Sequence, residues 1–291
     1  MQIDLSTLPA PQVIEELSFE AILAAQKADL IARLPEIEPT LALESAVVNK
    51  VLQVCAYREL LVRARVNDGA RSVMLAFAED GDLDQIGNTY GIPRQTVTAA
   101  TTTAAAVMED NERYRKRIQL GIYAYSVAGP IEAYIFHALT ADPSILDAAV
   151  DNPRSNRIEL TILSSVGDGA ASPDQLTKVA DALSPNKARP LTDDLSVRSA
   201  TIIEQPIAYR LVLPRGPASG VIEASRKGVA SYATERHKIG KALRIDGIIA
   251  AARSGGNIER VIVENPTADV DPGISGAVFV PSIEVTTEVM T

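Results

Sequence analysis

The stretch from Val48 to Phe77, VNKVLQVCAYRELLVRARVNDGARSVMLAF, decides the fold of the N-terminal part of the chain. Proline is absent between Pro39 and Pro93, and a helical period persists over about forty residues of this interval. We therefore predict one long helix, capped by Thr40 and ended by the turn that begins at Glu79. Before it, Ser18 is predicted to cap a helix that runs to about Leu34.

One broad apolar stripe runs along this helix when successive residues are placed 100° apart. The stripe consists of Val48, Val51, Cys55, Val62, Val66, Val73 and Phe77. Such a stripe fits a helix lying on its own core, and it also fits a helix that offers a seam to partner helices in a bundle. The length of the helix favours the bundle, so we predict that these residues form a helix-bundle interface.

Composition and charge argue against several classes of protein. The 291 residues carry a formal net charge of −9, whereas a protein that grips duplex DNA needs a basic face to displace counterions. The single cysteine, Cys55, cannot form an internal disulfide, which fits folding in a reducing cytoplasm. No apolar run approaches the roughly 18 residues of a membrane span, so we expect no membrane contact by this chain.

A DNA-binding regulator is nevertheless the alternative raised by residues 82–97, DLDQIGNTYGIPRQTV, which look like the second half of a helix-turn-helix. After Pro93 the chain is rich in β-branched residues, which favour extended structure over a recognition helix. Arg94 is also the sole basic residue from there to Met108, which leaves little to hold phosphates.

The segment from Asp110 to Ile118 concentrates basic side chains, and two interpretations compete for it. It is either a phosphate-binding patch or the start of a solvated helix whose charges are paired. Glu109, Asp110 and Glu112 nearly neutralise the cluster, so we predict the ion-paired, solvated helix.

Beyond residue 140 the pattern alternates between strands and helices. Residues 157–163 and 195–198 read as strands on either side of a helix capped by Ser172, and a second such unit runs from Ile207–Leu213 through two helices to Arg260–Val263. The frames Ile145–Pro153 and Ile258–Pro266 repeat at an offset of 113 residues, and each ends in Asn-Pro.

We therefore predict an α+β protein with four regions. These are a helical region for bundle formation (1–80), a connecting region with β character (81–128), and two tandem small α/β domains (129–203 and 204–291).

The motifs of enzyme sites are missing from this sequence. His137 and His237 lack a second ligand at metal spacing, and neither a Gly-x-Ser-x-Gly elbow nor a phosphate-binding glycine loop occurs. Arg189 and Asp193 are better explained as an ion pair that clamps a loop than as an acid-base pair. We expect no enzyme activity, cofactor or metal, although a hydrolase whose carboxylates meet only on folding stays open.

Six stretches together resemble the baseplate J family, the wedge proteins of contractile-tailed bacteriophages and related phage-tail bacteriocins. They are Cys55–Leu61, Asp82–Ile86, Arg113–Ile118, Ser126–Ala138, Ala188–Asp194 and Arg236–Gly240, and they cover nearly the whole chain in order.

This resemblance implies a structural subunit of a tail baseplate. Two copies would join one copy of a different tail protein through the long N-terminal helices to form a wedge, and six wedges would surround the hub. Residues 204–291 would supply a dimerisation or ring contact, and rearrangement of the ring would trigger sheath contraction. Further partners would be neighbouring wedges and sheath-adaptor or hub proteins, with no nucleic acid. The particle would be a virion or a bacteriocin (tailocin), assembled in the host bacterial cytoplasm.

Overall fold

A computed structural model of the chain describes residues 5, 8, 9, 11, 15–102, 104–126, 130–154, 156–184, 193–214 and 219–289. Helices form the N-terminal part, and helices with small sheets follow, which confirms the predicted α+β class. The chain divides into two compact units, Met1–Pro93 and Arg94–Thr291.

The first unit is helical. Its helices are α1 (Phe19–Arg33), α2 (Glu38–Leu41), α3 (Val47–Ser72) and α4 (Asp80–Thr89), with a 3₁₀ turn at Pro35–Ile37. The hydroxyl of Ser18 accepts a hydrogen bond from the backbone N–H of Ala21 at 3.2 Å, so the predicted cap of α1 is confirmed. Helix α1 packs on α3 through a small buried cluster of Ile22, Leu23 and Ala56.

The long helix is shorter than predicted, because α3 begins at Val47 and Thr40 lies inside α2. The side-chain amide of Asn49 donates to the carbonyl of Leu41 at 2.9 Å and to that of Leu43 at 2.6 Å. These bonds hold the end of α2 beside the first turn of α3, so the chain turns between the two helices instead of continuing as one.

The segment after Pro93 is extended, as predicted. Strand β1 (Thr96–Thr98) pairs antiparallel with β2 (Val107–Met108). Because a strand follows α4, residues 82–97 do not form the second helix of a helix-turn-helix. Helix α5 (Asn111–Gly121) and a 3₁₀ turn at Ile122–Tyr125 complete the connecting region.

The first α/β region contains the predicted strand-helix-strand unit. Its elements are α6 (Ile131–Ala141), β3 (Ile145–Arg154), β4 (Arg157–Ser164), α7 (Pro173–Leu183) and β5 (Asp194–Ser199). The central strand β4 pairs antiparallel with β3 and parallel with β5. A capping box formed by Ser172 and Gln175 starts α7, so the predicted cap is confirmed.

The second α/β region contains the predicted strands and helices. Its elements are β7 (Ile207–Leu213), α8 (Ser219–Arg236), α9 (Ile245–Ala252), a 3₁₀ turn at Arg253–Gly255, β8 (Arg260–Asn265) and β10 (Ile283–Val289). As predicted, two helices separate β7 from β8, and Arg260 at the start of β8 lies opposite Val212 near the end of β7. Strand β8 therefore runs antiparallel to β7. On the other side of β7, β10 is its parallel neighbour, which gives the strand order β10-β7-β8.

The repeated Asn-Pro frame occupies equivalent places in the two sheets. Strands β3 and β8 each follow a helix, and each forms the antiparallel edge of a three-stranded sheet. A short parallel pair, β6 (Thr201–Glu204) with β9 (Gly276–Phe279), links the regions, and a small core containing Leu163 and Ile239 lies between them. The predicted boundaries of the four regions stay predictions.

Candidate functional site

The inner face of α3, which packs on its own unit, is polar or small at its most buried positions. Asn49, Ala56 and Asn67 are buried there. The side chain of Asn67 accepts from the backbone N–H of Glu15 at 3.1 Å and donates to the carbonyl of Glu15 at 2.8 Å. Hydrogen bonds, together with a few apolar contacts, thus hold this face in place.

The opposite side of α3, which we term the outer face, exposes large apolar side chains. They are Val47, Val51, Val54, Tyr57, Leu61, Val62, Val66 and, at the helix end, Val73. Val62, for example, keeps 63% of its surface accessible. A helix with buried amides inside and exposed valines outside has the apolar pattern of one that is covered by a partner.

The structure distributes the predicted interface residues between exposed and half-buried positions. Val51, Cys55, Val62, Val66 and Val73 are exposed. Val48 and Phe77 are half-buried, and because α3 ends at Ser72, Phe77 lies beyond the helix and Val73 is its C-cap. That these residues form an interface stays a prediction.

Four exposed apolar residues of the outer face lie outside the predicted stripe: Val47, Val54, Tyr57 and Leu61. A seven-residue spacing was the available signal, since Val47, Val54 and Leu61 follow one another at that interval. The stripe predicted at 100° per residue lies next to this row on the helix surface and contains none of its three residues.

The basic cluster of α5 is ion-paired as predicted, but it is buried instead of solvated. The Glu109 side chain is fully buried, and both of its oxygens accept hydrogen bonds from guanidinium groups: Arg113 on one, and Arg117 on the other at 2.5 Å. Arg94 donates to the Glu109 carbonyl at 2.6 Å. Arg113 and Arg117 also contact α6, so these cations are engaged within the fold and do not form an exposed phosphate site.

Arg113 joins three elements of the second unit. Its guanidinium donates to the carbonyls of Leu139 (2.6 Å) and Asp142 (3.2 Å) at the end of α6, and to that of Ile145 (3.0 Å) at the start of β3. Burial lowers the pKa of Arg113, and the adjacent Glu109 carboxylate opposes that shift. The side chain therefore serves as a C-terminal cap for α6.

The predicted Arg189–Asp193 clamp is only partly visible, since Arg189 lies outside the described residues. The carboxylate of Asp193 accepts a hydrogen bond from the hydroxyl of Tyr134, which is buried on α6. Tyr134 thus fixes the start of β5 against α6, and the ion pair itself stays a prediction.

A polar cleft of about 330 Å³ lies at the start of α7. Gln175 donates to the hydroxyls of Ser144 (2.7 Å) and Ser164 (3.0 Å), while Asp142 accepts from Ser144 and from Lys178. Hydrogen bonds to Asp174 and Asp142 raise the pKa of Lys178, which keeps this amine protonated and unsuited to act as a base.

Within the described residues, the structure contains neither a candidate metal cluster nor a candidate membrane span. No group of three or more His, Cys, Asp or Glu side chains there could hold a metal ion. The described helices also include none that is long and apolar enough to cross a membrane. His237 contacts the carbonyl of Val278 through Nδ1 at 2.8 Å, which is a packing role.

Comparisons with known proteins give a consistent result. A family model described as the baseplate J-like N-terminal domain matches residues 44–101, and one described as the baseplate J-like central domain matches residues 126–199. The chain is 41% identical over 295 residues to "Baseplate protein J" of Escherichia phage P2, a match that covers 98% of this chain and 97% of that protein.

Among solved structures, the cryo-EM structure of the anti-feeding prophage (AFP) baseplate, 6-fold symmetrised, is similar with a TM-score of 0.45 at 12% identity. That match covers 62% of this chain and 43% of the other, so this chain spans less than half of that relative. The identity to the phage P2 protein, by contrast, extends over nearly the whole length of both sequences. The chain therefore belongs to the baseplate J-like family.

Proposed function

We propose that this chain is a structural, non-enzymatic subunit of the baseplate of a contractile tail. Two copies join one copy of a different tail protein to form a wedge, and six wedges surround the hub. The C-terminal region, residues 204–291, supplies a dimerisation or ring contact, and further partners are neighbouring wedges and sheath-adaptor or hub proteins. Rearrangement of the resulting ring then permits the sheath to contract.

The exposed apolar outer face of α3 is the observation that carries this proposal. Large apolar side chains such as Val54, Leu61 and Val62 point away from the unit to which α3 belongs. Covering each one removes apolar surface from water, which is worth about 25 cal/mol per Å² buried. The partner helices of a wedge bundle supply such a cover.

Native mass measurement tests the proposal directly. Tagged chain is isolated at low salt from cells that produce the complete tail, and the mass and composition of the complex are determined. The proposal expects a complex with two copies of this chain and one copy of another tail protein, free of DNA. A lone chain, or a complex with duplex DNA, would contradict it.

A pair of matched variants shows whether α3 is the contact. Val62→Asp places a charge on the outer face, and Val166→Asp places one at a valine of similar exposure, 65% against 63%, in the loop after β4. We expect Val62→Asp to lose the complex and Val166→Asp to retain it. Equal recovery of both variants would exclude α3 as the contact.

Cys55 provides a chemical reporter of the same surface. It is the sole cysteine of the chain and it is exposed on α3. A maleimide reagent should therefore label the isolated chain rapidly and the assembled complex at least about tenfold more slowly. Equal labelling rates in the two samples would place the contact elsewhere.

A further inference from the structure

Two arginines lie within the apolar outer face of α3. Arg58 and Arg65 are seven residues apart, or about 10.5 Å along the helix axis. Val54 and Leu61 flank them on one side of the helix, and Val62 flanks them on the other. All five side chains are exposed, so the arginines are part of the apolar surface and do not mark its edge.

The spacing of these residues is that of a coiled-coil seam. Alternating steps of four and three residues connect Val47, Val51, Val54, Arg58, Leu61 and Arg65. In a coiled coil these are the positions that a partner helix covers, and a charged residue there fixes which partner and register are accepted. Arg58 and Arg65 occupy two successive equivalent positions of this seam.

Within the described part of the chain, the side chains of Arg58 and Arg65 have no ion-pair or hydrogen-bond partner. Arg63, on the same helix but outside the seam, pairs with Glu59 at 2.7 Å and with Glu15 at 2.9 Å. Acidic side chains of the same chain thus neutralise Arg63. Among the described residues, they do not neutralise Arg58 and Arg65 of the seam.

The charge of α3 also differs in sign from that of the whole chain. Its five basic and two acidic residues give the helix a net charge of +3, whereas the chain carries −9. The α3 helix of a second copy carries the same +3, so direct packing of the two seams would bring like charges together. An acidic helix would instead meet complementary charge.

We propose that the occupant of the outer face is an amphipathic helix of a different chain, with two carboxylates seven residues apart among its apolar side chains. This inference rests on the proposed function and specifies the chemistry of the unlike wedge member. One acidic helix between two basic α3 helices gives a two-to-one complex, because each copy offers the same pair of guanidinium groups.

Charge reversal tests the proposal in the complex of the full-length chains. Arg58→Glu combined with Arg65→Glu should weaken the complex with the unlike tail protein by about tenfold or more, as judged by its dissociation constant at low salt. Arg71→Glu is the matched control, because Arg71 is an exposed basic residue of α3 that lies outside the outer face. We expect this control to bind within about twofold of the original chain.

Zero-length cross-linking identifies the groups that face the seam. Arg58→Lys with Arg65→Lys keeps both charges and supplies amines that a carbodiimide couples to adjacent carboxylates. Mass spectrometry should find the two introduced amines joined to Asp or Glu residues of the unlike chain about seven positions apart.

The outcomes separate this inference from the proposed function. Cross-links to a second copy of this chain, or an intact complex with the charge-reversed variant, would overturn the acidic occupant while leaving the wedge in place. Failure of the original chain to form any complex would overturn both proposals.

Discussion

Helices α5 and α3 both carry several arginines, but two arginines on α5 and two on α3 differ in burial and in pairing. On α5, Arg113 and Arg117 are almost fully buried, with 9% and 3% of their side chains accessible, and they share the carboxylate of Glu109. On α3, Arg58 and Arg65 are exposed among apolar side chains and have no partner within the described residues.

The difference shows where each helix finds its complementary surface. A guanidinium group can be buried only when an anion or carbonyl groups meet it, and α5 receives both from its own unit. The α3 seam has the apolar pattern of a buried surface but lacks the charges that would complete it. A second chain is therefore expected to supply them.

The largest effect should follow removal of the carboxylate that two arginines of α5 share. Glu109→Gln keeps the shape of the side chain but removes the buried negative charge that Arg113 and Arg117 contact. We expect it to lower the free energy of unfolding of the second unit by about 3–5 kcal/mol. Urea unfolding followed by far-ultraviolet circular dichroism measures this change.

Glu112→Gln is the control for that experiment, because Glu112 pairs with Arg115 from an 86% exposed position. Its expected effect is below about 1 kcal/mol. Similar effects for the two variants would remove the distinction between α5 and an ordinary surface helix.

A smaller effect is expected on the inner face of α3. Asn67→Ala removes both hydrogen bonds to the backbone of Glu15 and should lower the free energy of unfolding of the first unit by about 1 kcal/mol. Hydrogen exchange of the Glu15 amide should also accelerate, since that N–H loses its acceptor.

Asp68→Ala is the matched control on the neighbouring, exposed position of α3. Unchanged exchange at Glu15 in Asn67→Ala would mean that the amide does not hold this segment on α3. Other contacts of α3, such as its packing on α1, would then hold the inner face in place.

Much of the fold follows from local patterns in the sequence. Ser18 and Ser172 are side chains that cap a helix in the expected places, and the alternating residues 157–163 form a central strand. These features were predictable because each depends on neighbours within a few residues.

The features that sequence reasoning missed depend on distant partners. The burial of Arg113 and Arg117 requires carbonyls at the end of α6 and a carboxylate outside α5, and no local pattern shows their approach. The antiparallel course of β8 likewise depends on how two helices return the chain to β7. On the outer face of α3, the apolar stripe could be predicted from the sequence, whereas the position of the exposed arginines within it required the structure.

The smallest effect on folding is expected on the outer face of α3, and it gives the sharpest form of the comparison. Val62 is exposed, so Val62→Asp should change the free energy of unfolding of the isolated chain by less than about 0.5 kcal/mol. The same substitution is expected to abolish the wedge complex, because it puts a charge in place of a buried apolar contact and would repel an acidic partner helix. A loss of more than about 2 kcal/mol in the isolated chain would show that Val62 packs within its own unit. In that event the contacts of α3, like those of α5, would lie within its own unit, and the proposal of a covering helix would fail.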